Sequence, residues 1–500
     1  MTRNSLERRK VFWGRLASLP VIAFVVALAL LSAACNNINL AGKGSGTVSL
    51  AIGDVLTKSV RSAGEPLRQT LAAGTEYIVK ARLSGGHTAE TSITVDSGKL
   101  AEAALSFEGI PIGVTVRLDL EVRAGNNLVW IGSTVDDHTV VSGENPLSVE
   151  VGRVSGVLLW KPQPDGKQPH DVYIAPYGNY ASPFQTKFGI YTDQDTRRPY
   201  CFDSNGNLYA VVSDAAGSSE TQKYNWQLDG TYVEVSAPAT SESIPSNVSY
   251  LAYDNDSGKL YGLGAGTSLY NLNDNANITN NTNFPQPLGL AIHNGIAYIA
   301  EVIEGNISGG IFVTLHQYNV ADGTSQKTEE IELPEVFGTD VSALTGHMIY
   351  QDGALYLSIG CLDIVLDESS GAGIAGYSNG AVIKINAATL AIETSFGQNG
   401  YLGLLDSSEV IYGKECFAPT AKDEGACFYG PMGFVAVMPK KLVIADSGLA
   451  MSANGTGSVK LSKKSRIVTI DLETEAFESV SVDGYYEPTY LTGCGFTNTN

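Results

Sequence analysis

The residues best suited to chemistry in this sequence are acidic side chains at the ends of predicted strands. In the stretch KLVIADSG, apolar residues run into Asp446 and Ser447, a pair that can ligate a metal or cap a turn. Three more acids follow comparable strands in other segments. Carboxylates from several strands can surround one hard cation, and Ca²⁺ prefers such oxygen ligands. The alternative is a set of solvated turn residues. The four candidate metal ligands are Asp214, Glu301, Asp363 and Asp446.

Other sequence patterns that are associated with ligand binding or catalysis are less specific in this chain. The segment SSGAGIAGYSNG (369–380) has the spacing G-x-G-x-x-G, but the strand-like AVIKINAATL follows it. A phosphate site of that kind needs a helix N-terminus at this point. The segment is therefore predicted to be a flexible insertion loop. The six histidines are scattered, and no Ser or Cys has the setting of a nucleophile elbow, so no residue is a catalytic candidate.

Three long non-repeating segments, 361–379, 401–430 and 448–463, interrupt the second half of the chain. Long loops in compact domains often carry function. Cys416 and Cys427 flank a small, polar loop and are predicted to form a disulfide. Aromatic side chains in this region predict a face that binds a protein or a glycan. These residues are Tyr401, Tyr412, Phe417, Phe428 and Tyr429.

The elements that must position these residues are predicted to be β-strands. The chain has 500 residues, with 54 Gly, 24 Tyr and only 17% charged residues. It has no long Glu-, Lys- and Ala-rich stretch whose residue pattern repeats with the period of an α-helix. This composition, with turn signals throughout, is typical of an all-β protein.

Residues 46–153 are predicted to form a β-sandwich domain. In TVRLDLEVR, the residues Val116, Leu118, Leu120 and Val122 alternate with polar ones, as in a strand with one buried face. Turn signals recur between short strands, which is typical of a sandwich. The pattern resembles the immunoglobulin-like modules of surface lipoproteins, although the Cys–Trp–Cys core is absent.

Residues 154–500 are predicted to form a β-propeller, because units of about four strands repeat along them. The equivalent second-strand positions are Tyr173, Tyr209, Tyr261, Tyr298, Tyr356 and Val443. They predict six blades, with seven as the alternative because the last step is long. The first unit is predicted to lack an inner strand, which EPTYLTGCGF near the C-terminus would supply.

The last blade carries the most specific resemblance. LVIADSG followed by SRIVTID resembles an NHL repeat and the related gluconolactonase propellers. That resemblance implies a metal bound by the Asp together with a Glu from an early blade and an Asn before a Gly in an inner strand. In PMGFVAV and PLGLAIH, Met432 and Leu288 occupy the Asn position, and no early Glu is evident. This departure argues against a lactonase.

The N-terminus predicts export. Residues 1–34 combine a basic start with the apolar run VIAFVVALALL, and LSAAC ends at Cys35. This resembles a lipoprotein lipobox of the relaxed kind known from spirochaetes, and it implies lipidation of Cys35. An ordinary cleaved signal is the alternative. Residues 35–45 are predicted to be a tether.

The net charge of the chain limits the classes of partner that it could attract electrostatically. The formal net charge is −20, and the leader removes five basic residues against one acid. Nucleic acid is therefore excluded as a charge-driven partner. We expect a lipid-anchored envelope protein, in the outer membrane or on the cell surface rather than in the inner membrane. Three functions stay open: a protein- or glycan-binding module, a metal-dependent hydrolase or lyase of gluconolactonase type, and an envelope assembly scaffold. Apart from the candidate Ca²⁺, no cofactor is expected.

Overall fold

The structure is a computed structural model of the whole chain. It describes residues 44–52, 74–134, 136–153, 156–161, 170–176, 184–190, 200–203, 207–213, 219–226, 232–235, 248–264, 266–279, 282–304, 310–337, 344–367, 372–404, 428, 430–438, 441–446, 450–453, 459–461 and 466–481.

The N-terminal region contains nine strands and one 3₁₀ turn, Ser97–Glu102. The strands are β1 (Ser45–Ala51), β2 (Glu76–Gly85), β3 (Ala89–Asp96), β4 (Ala104–Pro111), β5 (Thr115–Ala124), β6 (Asn127–Ser133), β7 (His138–Thr139), β8 (Gly143–Pro146) and β9 (Glu150–Arg153).

These strands form two sheets around one core. One sheet has the order β4-β1-β8, and the other has the order β3-β2-β5-β6-β9, with β7 paired to β5. The predicted alternation in β5 is confirmed, because Val116, Leu118, Leu120 and Val122 are all buried. They share a cluster with Val48 and Phe107 of the facing sheet and with Trp130. Burial of alternate residues on both sheets is what holds the two layers together.

The rest of the chain contains 25 described strands and a 3₁₀ turn, Glu335–Phe337. The strands of the first half are β10 (Gly156–Lys161), β11 (His170–Pro176), β12 (Phe184–Ile190), β13 (Tyr200–Phe202), β14 (Leu208–Ser213), β15 (Ser219–Trp226), β16 (Tyr232–Val235), β17 (Val248–Asp254), β18 (Lys259–Gly264), β19 (Leu269–Asn271) and β20 (Ala276–Asn277).

The strands of the second half are β21 (Pro287–His293), β22 (Ile296–Glu304), β23 (Ile311–Asn319), β24 (Ser325–Glu332), β25 (Leu344–Gln351), β26 (Ala354–Asp367), β27 (Ala372–Asn386), β28 (Tyr401–Leu402), β29 (Pro431–Met438), β30 (Lys441–Asp446), β31 (Ala450–Ala453), β32 (Val459–Leu461), β33 (Arg466–Asp471) and β34 (Phe477–Ser481).

These strands form successive antiparallel sheets, which we number I to VI. They are β10-β11-β12, β13-β14-β15-β16, β17-β18-β19-β20, β21-β22-β23-β24, β25-β26-β27 with β28, and β29-β30-β33-β34. The first strands of neighbouring sheets contact each other from β13 through β17, β21 and β25 to β29, and β29 contacts β10. Sheets that follow one another around a ring of first strands form a β-propeller. The predicted all-β propeller is confirmed.

One detail of the predicted ring is wrong. Sheet I has its own first strand, because Gly156–Lys161 pairs antiparallel with His170–Pro176. This strand contacts β29 of sheet VI. The segment EPTYLTGCGF lies outside the described residues. The short apolar stretch GVLLWK, which the repeat pattern had missed, therefore begins sheet I.

Two of the repeated tyrosines pack against a neighbouring sheet. Tyr209 of sheet II stacks on Tyr253 of sheet III, with ring centroids 4.8 Å apart. Tyr298 of sheet IV stacks in the same way on Tyr350 of sheet V, at 6.1 Å. Such pairs contribute about 0.5–1.5 kcal/mol beyond the burial of their area. At Tyr209 and Tyr298, the repeated tyrosine therefore packs between neighbouring sheets.

Glycine is required where the first strands of sheets IV and V approach each other. A Cβ atom at Gly289 would lie 2.7 Å from the Cβ of Met348. A Cβ atom at Gly346 would lie 2.9 Å from the carbonyl oxygen of Leu288. Contacts this short do not occur between real side chains, so both positions need glycine for the two strands to pack.

Sheet V extends beyond the ring. The strand β26 pairs with β25 as far as Cys361, and a bulge between Cys361 and Leu362 marks the point where it leaves that partner. Beyond the bulge, β26 continues to Asp367 against β27. Strand β31 then pairs with β27, and β32 pairs with β31. We call these paired segments, 362–367, 372–377, 450–453 and 459–461, the extension sheet.

The extension sheet corrects the sequence prediction for this region. Gly373 and Gly376 of the G-x-G-x-x-G spacing lie in β27, so this part of the predicted flexible loop is a strand. Strands β31 and β32 come from the connection between β30 and β33 of sheet VI. The extension therefore joins sheets V and VI at one end of the propeller.

The N-terminal region contacts the opposite end of sheet VI. Arg117 of β5 donates to Glu473, in the turn after β33, and to Asp137 at 2.8 Å. Burial raises the pKa of the neighbouring Asp119, while the positive charges of Lys441 and Arg117 act to lower it. Lys441 begins β30, whose far end at Asp446 leads toward the extension sheet. The two ends of sheet VI therefore have different neighbours.

Within the described ranges, no helix is long and apolar enough to cross a membrane.

Candidate functional site

Asp446, which prompted the metal prediction, is fully buried at the end of β30. Its Oδ1 accepts a hydrogen bond from the Gly430 backbone N–H at 2.6 Å. Its Oδ2 accepts one from Nε of Arg466 at 2.8 Å, and Arg466 lies directly opposite on β33. Both carboxylate oxygens are thus occupied, and the charge is neutralised. Arg466 therefore compensates the charge of Asp446, and a metal-binding role for Asp446 stays a prediction.

Glu301 holds the corresponding place in sheet IV, near the end of β22. It lies opposite Thr314 on β23, and both residues are buried, with 7% and 6% of their surface exposed. Oε2 of Glu301 lies 3.4 Å from Nε2 of His316. Oε1 of Glu301 and the Thr314 hydroxyl have no hydrogen-bond partner. One carboxylate oxygen of this predicted ligand is thus unused.

Two aromatic rings lie beside His316 of the Glu301–His316 pair. The Phe284 ring meets the His316 ring edge to face at 5.5 Å, and the Tyr318 ring lies 6.2 Å from His316. Burial raises the pKa of Tyr318, and the negative charge of Glu301 raises it further. On the far side, Nδ1 of His316 lies 3.5 Å from the Thr328 hydroxyl. Two aromatic rings and the Thr328 hydroxyl therefore border the histidine of the pair.

The other two predicted ligands do not join Glu301 in a described cluster. Asp363 lies in the extension sheet, opposite Gly376. Asp214 lies outside the described residues. Over the described parts of the chain, no three His, Cys, Asp or Glu side chains come together to hold a metal ion. The four acids predicted as one Ca²⁺ site are therefore not seen as one.

The predicted aromatic face is also changed by the structure. Tyr401 is buried, its hydroxyl donates to the Glu332 carbonyl at 3.2 Å, and burial raises its pKa to about 12. Phe428 is fully buried and packs on Phe477. Both rings stabilise the core and do not present a binding surface. The remaining members of that prediction, and the lipidation and disulfide positions, lie outside the described residues; they are Tyr412, Phe417, Tyr429, Cys35, Cys416 and Cys427.

Sequence reasoning missed His316 and Arg466. Each faces its carboxylate only because β23 and β33 pair with the strands that carry Glu301 and Asp446. A signal for His316 was present in IFVTLHQYN, where Thr314, His316 and Tyr318 alternate with Val313 and Leu315. Alternation places these three side chains on one face of the strand.

Comparison with known proteins gives limited similarity. Residues 368–490 match the family model described as the TdpA C-terminal domain. No curated protein matches the chain. A structure of U3-55K is 10% identical with a TM-score of 0.25, and the match covers 54% of this chain and 81% of that one.

Two further solved structures show the same level of similarity. Apo AztD from Citrobacter koseri is 11% identical with a TM-score of 0.25, covering 83% of this chain and 97% of that one. The Dos1 propeller is 11% identical with a TM-score of 0.24, covering 66% and 62%. Because these TM-scores are low, the fold is assigned from the strand pairing of this chain and not from the similar structures.

Proposed function

We propose that this protein is a lipid-anchored envelope protein whose propeller binds a protein partner. The proposal includes six blades, sheets I to VI, preceded by an immunoglobulin-like sandwich. The contacts between first strands from β13 to β29, and between β29 and β10, support six blades. The two sheets around one core in residues 44–153 support the sandwich.

The binding proposal rests on one observation, which is that the two ends of sheet VI contact different parts of the chain. At the end where β30 begins, Arg117 of the N-terminal region contacts Glu473. At the other end, the connection between β30 and β33 supplies β31 and β32 to the extension sheet. The loops that join strands of a propeller are where binding residues concentrate, because a rigid scaffold holds them in place.

Anchoring through Cys35 fits this arrangement. Only a short segment separates Cys35 from β1, so lipidation would hold the N-terminal region near the membrane. The end of the propeller that this region contacts would then face the membrane side. The extension sheet would face away from it, toward a partner. The net charge of −20 favours a partner with a basic surface.

A crosslinking experiment on intact cells tests the binding proposal. In one variant, a short Gly-Ser linker replaces residues 448–464, which removes β31 and β32. We expect a crosslinked protein that is captured by the wild type to be lost from this variant. The free energy of unfolding should change little, because the strands of sheet VI remain. The matched control is Arg117→Ala at the opposite end, which should still capture the partner.

Two results would overturn the binding proposal. Capture that survives replacement of 448–464 would place the binding surface elsewhere. Capture lost equally in Arg117→Ala would show that the two ends are not functionally distinct.

Metabolic labelling with a fatty acid tests the anchor separately. We expect label on the wild type and none on Cys35→Ser, which should also leave the membrane fraction. Label retained by Cys35→Ser, or a wild type without label, would contradict lipidation at this position.

The hydrolase alternative has no support in the described residues. It depended on Asp446 as a metal ligand, and the Arg466 and Gly430 contacts occupy that carboxylate. The buried Leu288 stands where the related enzymes need an Asn.

A further inference from the structure

Three buried polar atoms meet without hydrogen-bond partners on one face of sheet IV. They are Oε1 of Glu301, Oγ1 of Thr314 and Nε2 of His316. A buried polar atom left unpaired destabilises the folded state, and more so when it is charged. One such atom is unremarkable in a protein of this size, but three on neighbouring positions indicate that something else belongs there.

The three side chains point to the same place. Glu301 and Thr314 are directly opposite on paired strands, so their side chains lie on the same face. His316 follows Thr314 by two positions, which returns it to that face. The resulting cluster has one anionic oxygen donor, one imidazole nitrogen and one hydroxyl.

The separation of the two strong donors fits a bridging metal ion. Nε2 of His316 and Oε2 of Glu301 are 3.4 Å apart. Bonds of about 2.0–2.1 Å to imidazole and about 2.0–2.2 Å to a carboxylate place two ligands of a tetrahedral zinc about 3.4 Å apart. A direct charge-assisted hydrogen bond is shorter, about 2.7–2.9 Å.

The surroundings also match those of a metal-binding histidine. The other ring nitrogen, Nδ1, faces the Thr328 hydroxyl at 3.5 Å. A contact on this side orients the ring and leaves Nε2 to face the carboxylate. The Phe284 and Tyr318 rings limit access of solvent and strengthen electrostatic interactions within the cluster.

We propose that Glu301 and His316 bind a divalent transition-metal ion of the zinc class, with water completing its coordination. The Thr314 hydroxyl holds one of these water molecules. An imidazole donor selects transition metals, whereas Ca²⁺ requires six to eight oxygen ligands that this cluster does not offer. The site is separate from the extension sheet and does not depend on the proposed binding function.

Zinc binding by the full-length chain, purified in detergent and treated with a chelator, tests the proposal. We expect calorimetric titration with ZnSO₄ to show about one site, weakened by about tenfold or more in Glu301→Gln and in His316→Gln. His293→Gln is the matched control. His293 contacts Asn294 at 2.9 Å and stacks on Tyr350, away from the cluster, so its loss should leave the affinity unchanged.

Cobalt substitution provides a second readout that does not depend on affinity alone. Tetrahedral Co²⁺ absorbs strongly in the visible range, and the wild type should show this band while Glu301→Gln and His316→Gln lack it. If either variant fails to fold, the nearly isosteric Thr314→Val should still fold and weaken zinc binding severalfold. The proposal is overturned if the wild type binds no zinc, or if the cluster variants bind it as tightly as the control.

Discussion

Sheets IV and VI carry an acidic residue at the same position and use it differently. In sheet IV, Glu301 lies between Pro287 and Thr314 across three strands. In sheet VI, Asp446 lies in the same register between Pro431 and Arg466. Both carboxylates are buried. The strand pattern alone therefore gives the two acids equivalent places.

The residue on the third strand decides what each acid does. Arg466 supplies a full positive charge at 2.8 Å and the Gly430 N–H occupies the other oxygen, so Asp446 is fully bonded. Thr314 supplies no charge, and Oε1 of Glu301 has no partner. Two positions further along, sheet IV has His316 where sheet VI has the fully buried Val468. One position thus serves as a structural ion pair in sheet VI and as an open donor cluster in sheet IV.

Removing the positive partner in sheet VI should have the largest effect. Arg466→Met removes the positive charge that pairs with the buried Asp446 carboxylate. We expect the free energy of unfolding to fall by about 3–5 kcal/mol. Urea denaturation of the wild type and the variant measures this loss.

A double variant sharpens that result. Asp446→Asn combined with Arg466→Met removes both charges and should recover most of the lost stability. A single variant as stable as the wild type would show that the ion pair is not what fixes Asp446.

A histidine whose pKa is lowered by burial should make stability depend on pH. Burial lowers the pKa of His347, on β25, from 6.5 to about 4. The unfolded chain therefore takes up a proton between pH 6.5 and about 4 that the folded chain does not. Stability from neutral His347 is fully present above pH 6.5 and is lost as the pH falls toward 4, by at most about 1.4 kcal/mol per pH unit.

Comparison of His347→Gln with the wild type isolates this effect. Unfolding free energies measured from pH 7 to pH 4 should fall less steeply in His347→Gln than in the wild type. Equal slopes in the two proteins would show that His347 is not a source of the acid sensitivity.

The smallest effect is expected for Glu301→Gln in the presence of a chelator. Because Oε1 of Glu301 has no partner, removing the charge relieves a desolvation cost and gives up little bonding. We expect the free energy of unfolding to change by less than about 1 kcal/mol. The equivalent change Asp446→Asn should cost several times more. If both variants lose equal stability, the contrast between sheets IV and VI is wrong.

Local periodicity predicted a large part of the fold. The alternation in TVRLDLEVR predicted a strand with one buried face, and β5 has one. The repeated tyrosines predicted successive equivalent strands, and Tyr209, Tyr261, Tyr298 and Tyr356 occupy buried positions on β14, β18, β22 and β26. These predictions succeeded because alternation and burial are properties of neighbouring residues on one strand.

Predictions that required pairing between distant segments failed. The segment SSGAGIAGYSNG was predicted to be a loop, but residues 372–380 are part of β27. Its partner β31 lies some distance along the chain, in the connection between β30 and β33. GVLLWK was likewise overlooked as the first strand of sheet I, because its role depends on pairing with β11 and contact with β29.

The sequence by itself determined that this chain is built of β-strands, that four-stranded units repeat along it, and that acidic residues end several of those strands. Only the tertiary structure decided which acids are neutralised. An isolated strand determines the face on which Asp446 or Glu301 lies, but the opposing residue comes from another strand. Arg466 and Thr314 differ in charge, and this difference, expressed only when the strands pair, makes one carboxylate structural and leaves the other open.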